Sequence, residues 1–534
     1  MFLSKKHSKQ EQTAKRYYQS EGVYMIYNEV ILDSALFKKP LSQNAKSFIR
    51  SNRVVLSSTF FSEVRSYTEL LRGGYYENLT ENLSTIVSML HRGGKIIQYS
   101  QPFDVRQRAV KLSENGYKVC VITEDKLLIE RLLTCSAINV DVYDLNKDMI
   151  SPHMSYKNTF CTVDKKTSSS KIVSGIKSGT KLDTREGFCY TLGERLSEDG
   201  IEGYIYHVQE REDLVVKIYK TAPSHARRIH LERLLLIGKE IKAPWCAFPE
   251  NLLYYKGELI GFTMPKIESV TMSEDSLYLG DDEDIEEDRL NKRLDYQVKY
   301  CLALLTQIKL LNCFGISLPD FNDANFSVYT EKQPVVFYDA DSFIYGSYFG
   351  NTIDDPAFSR QYDLTNKESL SLMCEENALK MVFRILSLGM YPFGGEGQPY
   401  QFNTEANEAS YRRQYFFGNV LNRMDDVFSA KELPSICLML NDLKSVETYL
   451  ENDPPKNITI RQMRDTALMS IGITDTPAAS SAQSQRQPDI ELNIEPENQT
   501  TVKAKRKRMI AAWAATLSII TTIVIWAILA TVIK

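Results

Sequence analysis

One segment near the end of the chain constrains the fold more than any other, because Met509–Ile533 contains no charged residue. At about 1.5 Å per residue, a helix of this length exceeds a hydrocarbon layer about 30 Å thick. A basic cluster, Lys503–Arg508, precedes the segment, whereas only Lys534 follows it. Because basic residues favour the cytoplasmic side, the pattern predicts a single-pass, C-terminally anchored membrane protein whose N-terminal part faces the cytoplasm.

Length and composition indicate several folded domains ahead of that segment. The chain has 534 residues, too many for one compact core. A formal charge of −4 excludes the strongly basic class of general nucleic-acid binders. The nine cysteines form no Cys-x-x-Cys pair and there are only six histidines. This usage indicates neither a disulfide framework nor a structural zinc site, and is typical of a reducing compartment.

Changes in composition divide the chain into five predicted parts. They are an α/β domain over residues 17–150, a linker over 151–181, a second domain over 182–470, a tether with the basic cluster over 471–508, and the transmembrane helix over 509–533. The linker and the tether are rich in small and polar residues that bury little apolar area. We therefore place the folded structure in the first and third parts.

The second domain carries residue types that phosphoryl transfer needs, in a suitable order. Two glycines, Gly200 and Gly203, precede a strand-like run that contains Lys217. Glu232 follows in a helical stretch. Further on, Asp320 and Asn325 stand five positions apart, and an apolar run ends at Asp339 and Asp341. Phosphoryl transfer uses a lysine on the phosphates, a base near the acceptor, and an amide and a carboxylate on the metal ions.

These motifs together resemble a protein-kinase-like domain of the divergent bacterial sort. The likeness also includes Gly261–Pro265, similar to a hinge, and Asp339–Phe343, similar to a metal motif. It implies an α+β fold of two lobes that binds ATP with Mg²⁺, or Mn²⁺, and phosphorylates a protein, more readily at Ser or Thr. Three residues differ from the usual pattern: Glu198 in the glycine loop, and Leu318 and Pro319 before Asp320. The open alternative is therefore a nucleotide-sensing pseudokinase.

The resemblance also assigns roles to individual residues. Gly200, Gly203, Lys217 and Met264 would contact ATP, Glu232 would orient Lys217, and Asp320 would be the catalytic base; Asn325, Asp339 and Asp341 would bind the metal. Asp339 ends the strand directly, which favours it over Asp341 as the principal metal ligand.

The first domain alternates strand-like and helix-like segments, which predicts βαβ units and a parallel sheet. The predicted strands are Val23–Ile31, Val54–Leu56, Lys95–Tyr99, Val119–Thr123 and Val140–Tyr143; the predicted helices are Ser62–Arg72, Leu79–Arg92, Val105–Asn115 and Leu127–Thr134. Active sites of such folds lie where the strands end.

Four acids fall at suitable places in this pattern: Asp33, Glu63, Asp104 and Asp125. Their order resembles the PIN-like nuclease fold, which implies carboxylates that hold divalent metal and cleave RNA. Alternatively, Asp104 is a helix N-cap, and Glu63 and Asp125 are ordinary first-turn acids. The nuclease hypothesis requires the four side chains to converge. Without activity in either domain, the protein would be an inactive PIN-like and kinase-like scaffold at the membrane.

Overall fold

Five parallel strands form the centre of the N-terminal domain in the computed structural model of the protein. The strands are β1 Glu29–Leu32, β2 Val54–Leu56, β3 Ile96–Gln98, β4 Val119–Thr123 and β5 Val140–Asp144, in the order β3-β2-β1-β4-β5, and β6 Met149–Ser151 pairs antiparallel with β5 at the edge. Nearly every residue of β1, β2, β4 and β5 is buried, as expected of a sheet covered on both faces. The predicted parallel sheet is confirmed.

Five helices accompany these strands. They are α1 Gln43–Ser51, α2 Phe60–Leu70, α3 Gly74–His91, α4 Val105–Glu114 and α5 Lys126–Thr134. Helix α1 was not among the predicted helices. It follows the N-cap Ser42, whose side chain accepts a hydrogen bond from the Ala45 amide. Membership of the PIN-like family stays a prediction, since strand order alone does not identify it.

The structure describes residues 27–466, except 92–94, 136, 138, 154–161, 164–174, 197–201, 270, 272–286, 322, 331–332, 347, 350–361, 365, 387–407, 453–461 and 463–465. The chain divides into two units, Met1–Thr474 and Asp475–Lys534, and all described residues lie in the first. No helix in this described part is long and apolar enough to cross a bilayer. The predicted tether and the predicted transmembrane helix lie outside it.

A closed six-stranded barrel begins the second domain. Its strands are β8 Lys181–Asp183, β9 Cys189–Arg195, β10 Gly203–Val208, β11 Arg211–Tyr219, β12 Asn251–Tyr255 and β13 Glu258–Pro265, and helix α6 His225–Ile241 connects β11 to β12. Alternate residues of β11 have different surroundings: Val216 and Ile218 join an apolar cluster drawn from all six strands. Tyr219 instead packs with Leu231 of α6. The Lys217 side of β11 therefore faces α6.

Helices dominate the rest of the second domain. They are α7 Glu287–Cys313, α8 Lys367–Leu386, α9 Glu408–Phe428 and α10 Ile436–Asn452. Between α7 and α8, β14 Ile316–Ser317 pairs antiparallel with β15 Ile344–Tyr345, and β16 Tyr348–Phe349 pairs parallel with β7 Thr162–Val163. A strand-rich part followed by a helical part agrees with the predicted α+β organisation.

The N-terminal domain shares its core with the helical part of the second domain. One cluster of buried apolar side chains contains residues of both, and the rings of Phe37 and Phe314 lie 5.8 Å apart. Two ion pairs reinforce the contact, between Arg106 and Glu368 and between Arg131 and Glu375, each with a shortest N–O distance of 2.6 Å. The two domains are therefore packed together despite the polar linker between them.

Candidate active site

Lys217 lies near the end of β11 with its side chain buried. Strand β10 runs on one side of it and β13 on the other, with Lys217 opposite Ile205 and Phe262. Gly203 of β10 and Gly261 of β13 let these strands approach the backbone of β11 closely. A Cβ added to Gly203 would lie 2.6 Å from the Ile218 carbonyl oxygen, and one added to Gly261 would lie 2.0 Å from the Lys217 carbonyl oxygen. The backbone of three strands thus fixes the position of this lysine.

The Lys217 ammonium donates hydrogen bonds to both predicted metal carboxylates. It bonds Asp339 directly and lies 2.8 Å from Oδ1 of Asp341. Burial alone would lower the pKa of Lys217, but Asp341 and Asp339 outweigh it and hold the pKa above its ordinary range. The lysine is therefore charged, as an anion-binding group must be.

The two carboxylates differ in exposure. The Asp341 side chain is 1% exposed and receives further hydrogen bonds at Oδ2 from the Tyr219 hydroxyl, at 2.6 Å, and from Arg227 Nη2, at 3.1 Å. Although burial opposes its charge, Lys217 and Arg227 hold the pKa of Asp341 well below its usual range. The Asp339 side chain is 33% exposed. Asp339 is therefore the accessible carboxylate of the pair.

Asp339 also has an unusual backbone, with φ 35° and ψ 40° in the left-handed region. Such a conformation disfavours a residue with a Cβ and is retained where the surrounding structure enforces it, often at functional sites. Burial, with a contribution from Asp341, raises the pKa of Asp339 to about 6. A bound cation would stabilise the ionised form of such a group.

Backbone pairing places Asn325 beside the segment that leads to Asp339. The Tyr338 amide donates to the Asn325 carbonyl at 3.0 Å, and the Ser327 amide donates to the Val336 carbonyl at 2.9 Å. This arrangement brings an amide residue and the half-buried carboxylate of Asp339 to one end of a hairpin. Magnesium sites that also use phosphate oxygens need only one or two protein carboxylates, and a carboxylate and an amide are ligand types of such sites. Metal binding by Asn325 and Asp339 stays a prediction.

Buried amide side chains of two helices hold the loops of this site. Asn377 of α8 donates to the Pro319 carbonyl at 2.9 Å, directly before Asp320. Gln307 of α7 donates to the Val335 carbonyl at 2.7 Å and accepts from the Val335 amide at 3.0 Å. Burial raises the pKa of Asp320, against the influence of the neighbouring Asn325 side chain. A raised pKa suits a carboxylate that accepts a proton.

The prediction that Glu232 orients Lys217 is wrong. Glu232 instead pairs with Arg185 at 2.9 Å and with Arg228 at 3.3 Å. Helix α6 presents Arg227 to the site, because Arg227 lies four residues before the buried Leu231 and thus on the same helix face. The buried stripe of α6 was a sequence signal that could have identified Arg227.

Of the remaining predicted ATP contacts, Met264 lies opposite Val215 in β11, and Val215 stands two residues before Lys217. Met264 is thus on the same face of the sheet as Lys217. Gly200 and Glu198 lie outside the described residues, whereas Gly203 begins β10. The ATP contacts of Gly203 and Met264 stay predictions.

Three of the four acids predicted in the N-terminal domain, Asp33, Glu63 and Asp125, lie near one another, and Lys309 interacts with two of them. Lys309 of α7 bonds Glu63 at 2.6 Å, and Ser34 donates to the same carboxylate at 2.5 Å. Asp33 accepts a hydrogen bond from Thr123 and interacts electrostatically with Lys309, Asp125 and Glu63. We call Asp33, Glu63, Asp125 and Lys309 the acidic centre. Burial raises the pKa of Asp33 to about 6, and Lys309 opposes that shift.

Asp104 does not join the acidic centre as a fourth carboxylate. It is the N-cap of α4, accepting from the Gln107 amide at 2.8 Å, and it also accepts from Ser435 at 2.8 Å. Asp125 caps α5 in the same way, through the Leu128 amide. The predicted metal site of four acids is therefore wrong: across the described parts of the chain, no three His, Cys, Asp or Glu side chains are grouped to hold a metal ion.

A cavity of about 370 Å³ borders the acidic centre between the two domains. Glu63 and Lys309 line it, together with hydroxyl groups such as those of Thr59 and Ser62 and the thiol of Cys437. The Cys437 sulfur lies 3.0 Å from the Lys309 nitrogen, and burial raises the pKa of this thiol. No local sequence pattern pointed to Lys309, since its partner Glu63 is 246 positions away.

Comparison with known proteins finds protein kinases among the relatives of this chain. Protein kinase YegI of Escherichia coli (strain K12) is 33% identical over 94 residues, which are 17% of this chain and 14% of that protein. The protein of the same name from Escherichia coli O157:H7 is 34% identical over 88 residues, which are 16% and 14% of the two chains. No protein-family model matches the chain.

Two solved kinase structures overlap with the chain more loosely. Vaccinia related kinase 3 gives a TM-score of 0.34 at 11% identity, covering 52% of this chain and 94% of that one. Rad53 (residues 1–466) in complex with AMP-PNP gives 0.33 at 16% identity, covering 47% and 64%. The sequence similarity to YegI, together with the arrangement of Lys217, Asp320, Asn325 and Asp339, supports a kinase-like domain.

Proposed function

We propose that the protein is an ATP-dependent protein kinase that transfers phosphate to Ser or Thr of a protein substrate. The contact between Lys217 and Asp339 carries this proposal, because it joins a buried lysine suited to phosphate binding to a half-buried carboxylate beside Asn325. The 94-residue similarity to a protein kinase supports it.

Each residue has a distinct part in this reaction. Lys217 binds the phosphate oxygens of ATP, and Asp320 accepts the proton of the acceptor hydroxyl. Asp339 and Asn325 hold Mg²⁺, or Mn²⁺, which supplies positive charge to the phosphates when bound. Asp341 is already engaged by three protein donors. We therefore assign the metal to Asp339 rather than to Asp341.

Membrane anchoring is part of the proposal. The uncharged segment Met509–Ile533 and the basic cluster before it support a kinase held at the membrane with its folded domains in the cytoplasm. Such an anchor would restrict the substrates to proteins that reach the membrane surface. Separation of the full chain into membrane and soluble fractions, with protease protection, tests this orientation.

The N-terminal domain, if PIN-like, would act in this protein as a scaffold rather than as a ribonuclease. Lys309 bonds Glu63 and interacts electrostatically with Asp33, so a protein cation already balances charge where the nuclease hypothesis would need divalent cations. Incubation of the full chain with single-stranded RNA and Mn²⁺ tests this. Cleavage that Asp33→Asn abolishes would restore the nuclease hypothesis.

A nucleotide-sensing pseudokinase is the alternative function. The departures Leu318 and Pro319 favour it, as does the absence of a contact between Glu232 and Lys217 within the described residues. A pseudokinase would bind ATP without transferring phosphate, and the whole chain would serve as a membrane scaffold.

Nucleotide binding and phosphate transfer by the full chain distinguish the two functions. We expect wild type to show a thermal shift with ATP and Mg²⁺ and to transfer phosphate. Lys217→Ala and Asp339→Ala should weaken metal-dependent ATP binding and abolish transfer, since they leave phosphate charge uncompensated. Asp320→Ala should bind ATP normally without transfer. Binding without transfer in wild type would favour the pseudokinase, and no binding at millimolar ATP would contradict both.

A further inference from the structure

We propose that Arg227 is the positioning residue for Lys217 and that it acts through Asp341. In this arrangement, a helix arginine and a buried aspartate perform together the task that Glu232 was predicted to perform alone. The inference rests on the proposed kinase function and adds to it the residues that hold the phosphate-binding lysine in place.

Asp341 has the geometry of an internal anchor. Its side chain is almost wholly buried, and both carboxylate oxygens accept hydrogen bonds from protein donors. Oδ1 accepts from Lys217 at 2.8 Å, and Oδ2 accepts from Tyr219 at 2.6 Å. A metal ion could reach Asp341 only after these bonds were broken. Asp341 therefore keeps hold of Lys217 while Asp339 is free to exchange its contact with the lysine.

Arg227 connects that anchor to helix α6 and to the start of β10. Its Nη2 lies 3.1 Å from Asp341 Oδ2 and 2.5 Å from a carboxylate oxygen of Glu202, which directly precedes Gly203. The guanidinium carbon also lies 4.6 Å from the centre of the Tyr219 ring. One side chain thus joins α6, β10 and β11 around Asp341.

The charges explain why the anchor needs Arg227. Asp341 is buried beside Asp339, so two carboxylates and one lysine would leave an excess of negative charge. Arg227 adds the second positive charge and shares it between Asp341 and the less buried Glu202. When ATP binds, its phosphates take over Lys217 from Asp339, and Asp341 remains neutralised by Arg227. A movement of α6 that withdrew Arg227 would therefore weaken the hold on Lys217.

Steady-state transfer by the full chain tests this role, with AMP-PNP binding as the second measurement. We expect Arg227→Met to raise KM for ATP and to lower kcat/KM by about 10- to 100-fold. Losses of this size are usual when a residue that orients a binding group through a hydrogen bond is removed. Arg227→Lys should recover part of the loss, since it keeps the charge without the planar fork and the ring contact. Glu232→Gln, on the same helix but turned to Arg185 and Arg228, is the matched control and should behave as wild type.

The outcomes separate this inference from the proposed function. A wild type that binds no ATP overturns both. Active wild type with an unchanged KM for ATP in folded Arg227→Met would show a purely structural role and overturn the inference alone. If Arg227→Met does not fold, Arg227→Lys and Tyr219→Phe test the same inference. Each variant should raise KM for ATP. An unchanged KM in both variants would reject the role of Arg227.

Discussion

Gly261 is a position at which the backbone admits no side chain. It lies opposite Ile218 in β11, and an added Cβ would come within 2.0 Å of the Lys217 carbonyl oxygen. That distance is far inside van der Waals contact, and the obstructing atom belongs to the backbone. The strands on both sides of Lys217 therefore depend on glycine, at positions 203 and 261.

We expect Gly261→Ala to destabilise the protein by about 1–3 kcal/mol, the usual cost of forcing extra atoms into a packed region. It should also weaken ATP binding, because β11 would have to shift. Urea unfolding and an ATP thermal shift measure the two effects. Gly74→Ala is the control, since nothing lies within 4 Å of its added Cβ. Equal stability of the two variants would contradict the expectation.

A lysine in a strand-like run and a carboxylate after an apolar run are local patterns that the sequence displays. The structure brings Lys217 and Asp339 into contact, and their roles in a reaction stay predictions. The left-handed backbone of Asp339 and the inward direction of Asp341 depend on contacts between distant segments. No motif in the sequence encodes those contacts.

At the scale of the element, the phase of helix α6 decides which side chain reaches the site. Glu232 follows Leu231 by one residue, so it points about 100° away from the buried face. The order of residues along the sequence pointed to Glu232 as the residue that orients Lys217. Helix periodicity instead places Arg227 on the face that reaches the site. The strands of the parallel sheet were predicted well, because runs of buried β-branched residues are a strong signal.

Helix α8 supports the candidate catalytic loop through Asn377. We expect Asn377→Ala to lower kcat while leaving KM for ATP near its wild-type value, because Asp320 would lose its backbone support and Lys217 would not. Leaving the buried Pro319 carbonyl without a donor should also cost about 1–3 kcal/mol of stability.

Initial-rate kinetics and urea unfolding measure these changes, with Asn441→Ala in α10 as the control. A KM for ATP that rose as much as kcat fell would place Asn377 in nucleotide binding instead of loop support. An unchanged kcat would show that the Pro319 contact does not position Asp320.

At the scale of the whole molecule, the N-terminal domain and the helical part of the second domain act as one packed body. Their common core and the acidic centre could not be predicted, since the residues involved are remote in sequence and the linker composition favoured separate domains. The sequence analysis predicted that Asp33, Glu63, Asp104 and Asp125 would meet, and only the first, second and fourth lie near one another. The cation that balances them comes from the other domain.

We expect Lys309→Met to destabilise the protein by about 3–5 kcal/mol, because it leaves buried carboxylates without their cation. Adding Glu63→Gln should recover part of that loss. Urea unfolding of the full chain measures both effects. Lys444→Met is the matched control: this lysine lines the same cavity but pairs with Glu447 and is largely exposed. If the two lysine variants lost the same free energy of unfolding, the charge of Lys309 would not be needed to balance the buried carboxylates.

Helix α7 is held from two sides at neighbouring positions. Gln307 bonds Val335 in the segment that leads to Asp339, and Lys309 bonds Glu63 of the N-terminal domain. Two residues along a helix are about 200° apart, so these side chains leave from opposite faces. A rotation of α7 about its axis would disturb both contacts at once. A movement of the N-terminal domain that rotated α7 would therefore also displace Val335 and the segment that leads to Asp339 in the candidate active site.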